Sequence, residues 1–160
     1  FAVDPARAAT VAFTDPWVLI EGWYLVRDGS PITALDQVDR PGIRIAVGRG
    51  SAYDLHISRT IAQASLERVK TSQEVVDFAL CEGFEVAAGI RQQLESDQRR
   101  HPGLRLLPER FMVIPQALGV PAGRDASVVA ALNAFLADAR QSGLIADMMT
   151  RNATQGAVLP

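Results

Sequence analysis

"RIAVGRGSAYD", Arg44 to Asp54, is the stretch on which the fold turns. Ile43, Ile45 and Val47 alternate as apolar positions, the period of a strand with one side chain in two on each face. Gly48-Arg49-Gly50-Ser51 follows at once, and a helical pattern begins at Ala52. A glycine-bearing turn from strand into helix is the joint of an open α/β sheet. The helix start there offers unpaired N–H groups and a positive dipole end, which suit an anion. A dinucleotide is a poor match, because Gly48-x-Gly50-x-x-Tyr53 lacks the third glycine of that fingerprint.

Outward from this joint the same alternation continues. The pattern predicts a helix over 52–63, a strand over 66–69 and a helix from the box Thr71-Ser72-Gln73-Glu74 to Leu80. A buried strand follows over 85–89, then a polar helix over 91–100 and strands over 104–107 and 111–120. Strand and helix in alternation predict a mostly parallel sheet with helices on its faces. Before the joint, Asp4 and Pro5 mark a helix start, 11–13 and 24–26 read as strands, and 33–38 reads as a short helix. After it, Asp125 caps a long helix with the apolar stripe Val128, Val129, Leu132, Phe135, Leu136 and Ala139, and a second amphipathic helix spans 144–151. The short N-terminal strands lack evident partners, and the C-terminal stripe needs something to cover.

Composition narrows the function classes. The 160 residues are 48% hydrophobic and 21% charged, with net charge −2, which is the profile of a globular chain with a real core. No basic stripe marks a nucleic-acid partner. No apolar run approaches the ~20 residues of a membrane span. Cys81 is the single cysteine and His56 and His101 the two histidines, so neither an internal disulfide nor a metal site is expected. Phe1 is followed directly by Ala2-Val3-Asp4-Pro5 without a charged leader, and the expectation is of a mature, processed or truncated chain.

The motifs, taken in order, resemble the bacterial extracellular solute-binding proteins of family 3, the amino-acid-type receptors of ABC importers. "DPARAATVAFTDPW" (4–17) is similar to that family's helix, strand and Phe-Ser-x-Pro-Tyr segment, with Pro5, Arg7, Val11, Phe13, Thr14, Pro16 and Trp17 in the matching places. "YLVRDGSPITALDQVDRPGIRIAVGRGSAYD" (24–54) resembles the hinge strand, the following helix and the Gly-Ser/Thr helix start. "QEVVDFALCEGFEVAAG" (73–89) resembles the next helix and strand, and 111–152 the second hinge strand with the C-terminal helices. The resemblance implies an α/β, type II periplasmic-binding-protein-like fold: one complete lobe over 28–113, and fragments of a second lobe over 1–27 and 114–160 whose N-terminal part is missing. It also implies a periplasmic location.

The resemblance assigns ligand contacts residue by residue. Gly50, Ser51 and Ala52 stand where the family holds a ligand carboxylate, although Ala52 lacks the family's second hydroxyl; Ser51 could equally be a plain helix cap. Ile90 stands where amino-acid receptors carry the aspartate that pairs with the ligand ammonium. Arg91 follows it, either as a bidentate carboxylate donor or as a solvated helix-start residue. An ammonium beside Ile90 would lose its charge partner, so an acidic or neutral solute is expected. Trp17 and Gln116 are further candidates for the cleft, whereas Trp23 and Tyr24 read as core. Arg99, Arg100, His101 and Arg105 read as a solvated face.

No cofactor is implied. The leading expectation is a receptor that binds a small polar solute between two lobes and delivers it to a membrane permease. A second is an enzyme on the same scaffold, similar to the cyclohexadienyl dehydratases, whose cleft acid would need a raised pKa; Glu21 and Glu85 are the candidates. A third is a ligand-binding sensor domain. The uncovered apolar stripe predicts homodimeric or swapped association.

Overall fold

The computed structural model describes residues 1–152 and 156–160. The chain forms two compact units, one of 1–20 with 114–160 and the other of 21–113. It passes between them within two strands, β2 (Val18–Arg27) and β7 (Met112–Gln116).

The 21–113 unit is an α/β layer structure. Its elements are β2 from Glu21 onward, β3 (Arg44–Gly48), α2 (Ala52–Thr60), β4 (Ser65–Val69), α3 (Val75–Cys81), β5 (Val86–Ile90), α4 (Arg91–Arg100) and β6 (Leu104–Leu106). The sheet order is β4-β3-β5-β2-β6. β3 runs parallel to β4 and β5. β2 is antiparallel to β5, with Gly22 opposite Ile90, and to β6, with Leu25 opposite Leu106. The sheet is therefore mixed where the alternation predicts a mostly parallel one. The strand predicted over 24–26 is a ten-residue strand, and sheet pairing draws Gly22–Arg27 into this unit rather than into the flank.

Ile45, Ala46 and Val47 are all fully buried, so both faces of β3 are covered. On one face Ala46, Ala87 and Leu25 pack with Val75, Val76 and Ala79 of α3, Leu94 of α4, and Leu104. Tyr53 and Ile57 of α2 are buried as well. α2 ends at Thr60, short of the predicted Gln63. The Asp39 carboxylate accepts the N–H groups of Ala62, Gln63 and Ala64 at 2.7–2.9 Å and folds the chain away from the helix. These same bonds hold the Asp39 carboxyl below its usual range.

Two predicted helices are shorter than their pattern. Residues 33–38 make only a 3-10 turn, Leu35–Gln37, which has no side-chain cap. At 71–74 the Thr71 hydroxyl donates to the Glu74 carboxylate at 2.8 Å, so the reciprocal backbone capping is not made and the chain enters α3 through a 3-10 turn over Ser72–Glu74.

The other unit contains α1 (Pro5–Ala8), β1 (Val11–Phe13), β8 (Gly119–Pro121), α5 (Ala126–Gln141), α6 (Leu144–Arg151) and β9 (Ala157–Val158). β1 does have a partner: it pairs antiparallel with β8, with Ala12 opposite Val120. The strand predicted over 111–120 is broken into β7 and β8 because Thr14 brackets Leu118, accepting its N–H on Oγ1 and donating its own N–H to its carbonyl, both at 3.0 Å. Asp4 and Asp125 cap α1 and α5 as their positions predict. α5 is tied to the 14–17 loop by Asn133, which accepts the Asp15 N–H, and by Arg140, which donates to Pro16 O. Of its stripe, Leu136 and Ala139 are buried, whereas Val128 and Phe135 are exposed.

Candidate functional site

The turn from β3 into α2 explains its own composition. Gly48 is buried, and a Cβ there would lie 2.5 Å from Ser72 Oγ and 3.0 Å from Ser72 Cα. Glycine is required because the start of the α3 segment packs against it. Gly50 sits at φ +68°, a left-handed conformation that L side chains rarely adopt. Ser51 is the N-cap of α2: its Oγ accepts the Asp54 N–H at 3.0 Å.

Asp54 completes the entrance. Its carboxylate accepts the Gly50 N–H at 2.8 Å, Arg68 Nε at 2.9 Å and the Ser58 hydroxyl at 3.2 Å, and the residue is buried. The helix start thus already holds one carboxylate, supplied by the chain itself. The Ser51 N–H donates to Gly48 O at 3.1 Å. Tyr53, also buried, donates its hydroxyl to Ser72 Oγ at 2.6 Å. Burial pushes the Tyr53 phenol up, and hydrogen bonding to Ser72 and Ser51 offsets part of that. Asp54 and Ser72 are not among the sequence candidates. The spacing Ser51-x-x-Asp54 carries the signal for the first, since it is a helix-start box. Nothing local marks Ser72 as the neighbour of Gly48.

A second cluster lies where β2 and β5 pair. Gly22 faces Ile90 across the strands, and a Cβ on Gly22 would meet Met112 and Phe111 within 3 Å. Ile90 is partly buried and precedes α4 in extended conformation. Arg91 opens α4 with a side chain that is 39% exposed and ion-paired. Its Nε donates to Glu95 at 2.7 Å, its Nη1 lies 3.6 Å from Glu21, and its guanidinium lies over the Trp23 ring at 5.1 Å. Glu21 in turn accepts from Arg110 at 2.6 Å and from the Trp23 indole at 2.9 Å. Arg91 is therefore engaged with two carboxylates.

Both acid candidates are held toward the ionised form. Burial pushes Glu21 up, but the bonds from Arg110 and Trp23 and the charges of Arg110 and Arg91 together hold it below its usual range. Glu85 is held low by its hydrogen bonds to Arg44, against the opposing effect of burial. Neither has the raised pKa that a general acid requires. Trp17 and Gln116 meet through their backbones in the other unit, the Trp17 N–H donating to Gln116 O at 2.9 Å.

The positive face expected at 99–105 is largely engaged. Arg100 bonds Asp97 at 2.9 Å and lies 3.3 Å from Asp77, and His101 lies 2.7 Å from Asp77. Arg105 bridges the turn after β2, donating to Ser30 O at 2.9 Å and Ile32 O at 2.8 Å. Among the described residues no cluster of three or more His, Cys, Asp or Glu could hold a metal ion.

No protein-family model and no curated protein sequence matches the chain. Solved structures do. A binding component of an ABC transporter from Wolinella succinogenes, complexed with lysine, is 19% identical with TM-score 0.81, covering 94% of this chain and 66% of its own. The solute receptor for L-cysteine of Neisseria gonorrhoeae is 20% identical with TM-score 0.80, covering 94% and 61%. An ancestral amino acid-binding protein, a precursor of cyclohexadienyl dehydratase, is 14% identical with TM-score 0.79, covering 94% and 65%. The chain spans less than two thirds of the length of each. At these identities the likeness establishes architecture: the chain has the α/β fold of the periplasmic-binding-protein-like, amino-acid-binding components of ABC transporters, over about two thirds of their length.

Proposed function

We propose that this chain is the solute-binding part of an ABC importer receptor, acting in the periplasm and delivering its solute to a membrane permease. The observation that carries this reading is the fold, shared over 94% of the chain with proteins whose names record binding of lysine and L-cysteine. The solute is a small polar molecule, carboxylate-bearing or neutral, rather than a standard α-amino acid. The Ser51 hydroxyl and the Ala52 N–H at the start of α2 are its anion-binding groups, as helix starts commonly provide. Ile90 offers no charge for an ammonium, and Arg91, engaged by Glu95 and Glu21, contributes its field rather than a free fork. The ion-paired state of Glu21 and Glu85 supports binding over dehydratase chemistry.

Titration of the isotope-labelled chain, read by backbone amide shifts, tests the reading. The panel is lysine, arginine, cysteine, glutamine and a set of small mono- and dicarboxylates. Saturable shifts at Ser51 and Ala52 with an organic acid, weaker with the amino acids, are expected. Tight binding of an ordinary α-amino acid, or consumption of a prephenate-like substrate, would overturn it.

Self-association belongs to the same proposal. Val128, Phe135, Leu144 and Met148 are exposed on α5 and α6, and apolar area removed from water is worth about 25 cal/mol per Å². Sedimentation should show concentration-dependent association that Phe135→Glu reduces. A monomer at all concentrations would refute it.

A further inference from the structure

At the opposite end of the 21–113 sheet from the Ser51 turn lies a groove of about 440 Å³, lined by Arg27, Ser30, Pro31, Ile32, Ile43 and Phe84 among others. The topology separates the two places. β3 and β5 are parallel; Gly48 and Ile90 are their last residues, whereas Ile43 and Glu85 directly precede their first. β2 runs antiparallel to β5, so Arg27 at its end lies beside the start of β5. Five strand residues at about 3.3 Å each place the groove roughly 15 Å from the α2 entrance.

The groove is built rather than incidental. One wall is the 28–32 turn, which Arg105 fixes through the carbonyls of Ser30 and Ile32 and more weakly through Asp28 O at 3.4 Å. Ser30 Oγ accepts the Ile32 N–H at 3.2 Å, which leaves the hydroxyl proton to donate. The other wall is Phe84, whose ring centroid lies 4.6 Å from the Arg44 guanidinium. Glu85, which also lines the groove, is paired with Arg44, through the backbone N–H at 2.9 Å, Nε at 3.0 Å and Nη2 at 2.8 Å. Arg27 donates to Leu80 O at 3.2 Å, and no carboxylate accepts from it among the described bonds. The groove therefore combines apolar walls, one neutralised ion pair, a serine hydroxyl and one guanidinium without an acid. Its size lies in the range of small-molecule sites, about 300–1,000 Å³.

We propose that this groove is a second ligand site, distinct from the Ser51 turn, that takes a small amphipathic carboxylate. The apolar or aryl body lies against Phe84, Ile32 and Ile43, and the carboxylate meets Arg27 and the Ser30 hydroxyl. The proposal does not depend on the receptor reading, because no residue of the Ser51 turn takes part.

Amide-shift titration of the intact chain with phenylacetate, against phenylacetamide as the uncharged isostere, tests it. Phenylacetate should give saturable shifts at Gly29, Ile32, Gly83 and Phe84 while Gly50–Tyr53 stay still, and should bind about tenfold tighter than the amide. Arg27→Gln should bring the two ligands to equal, weak affinity with an unchanged spectrum elsewhere. Ser51→Asp should leave phenylacetate binding unaltered. Absence of shifts in the groove, equal affinity for acid and amide in the parent chain, or loss of binding in Ser51→Asp would each overturn the proposal.

Discussion

The Asp54 carboxylate accepts the backbone N–H of Gly50 at 2.8 Å, from one turn inside the helix that Gly50 introduces. An anion arriving at this entrance meets a helix start that the chain has already partly neutralised. Asp54→Ala should cost about 2–3 kcal/mol, because it strips Arg68, Ser58 and the Gly50 N–H of a buried acceptor at once. Urea unfolding checks this. A change within about 0.5 kcal/mol would show that the carboxylate is not what holds the turn.

Ser51 carries two roles that one pair of substitutions separates. Ser51→Ala should lose about 1 kcal/mol of stability by uncapping α2, and should also weaken binding of an organic acid. Ser51→Asp keeps a capping oxygen and should be less destabilised, yet should abolish anion binding by placing a like charge at the site. Retained anion binding in Ser51→Asp, followed by calorimetry, would reduce Ser51 to a cap.

The two glycines of the turn should fail differently. Gly48→Ala forces a methyl against Ser72 Oγ and Cα and should cost about 2–3 kcal/mol, partly relieved by Ser72→Gly. Gly50→Ala meets no atom within 4 Å but must hold φ at +68°, so it should cost about 1 kcal/mol, with no rescue by Ser72→Gly. Thermal denaturation of the two singles and two doubles decides between close packing and backbone strain.

Acid should destabilise the 21–113 unit through Glu85 and Glu21. Both carboxyls titrate below their usual value of 4.5 in the folded chain. The unfolded chain then takes up protons first as pH falls. Their contribution is complete above a pH of about 4.5 and is lost as pH falls through the folded values. Urea midpoints should decline on acidification below that point, less steeply in Glu85→Gln than in the parent. Parallel curves would mean that the Arg44–Glu85 pair gives no net stabilisation.

Much of the local structure was legible because it is encoded by neighbours. The caps Asp4, Ser51 and Asp125 each accept a backbone N–H within three residues of themselves. The role of Ser51 as a cap was legible for the same reason; Asp54 was not among the candidates, although the Ser51-x-x-Asp54 spacing carries a local signal for it.

What lay beyond the sequence is whatever joins residues distant along it. Apolar alternation marks β2 and β5 as strands, but hydrogen bonding sets β2 antiparallel between β5 and β6, and it stretches the three apolar residues 24–26 into a ten-residue strand. Arg105 reads as a solvated charge until the fold brings it to carbonyls 73 and 75 residues away, and the two readings of Arg91 stay open until the fold sets it beside Glu21. Gly48 reads only as part of a glycine-bearing turn until Ser72 arrives to fill the space its missing Cβ leaves. The sequence by itself determined where most helices and strands begin, the caps Asp4, Ser51 and Asp125, and the side-chain chemistry available at each turn, since backbone dihedrals and capping bonds are satisfied locally. Only the tertiary structure decided which charges were spent on one another and which, like Arg27, met a backbone carbonyl instead of a carboxylate among the described residues, because ion pairing depends on distances of a few ångströms that sheet order and register impose.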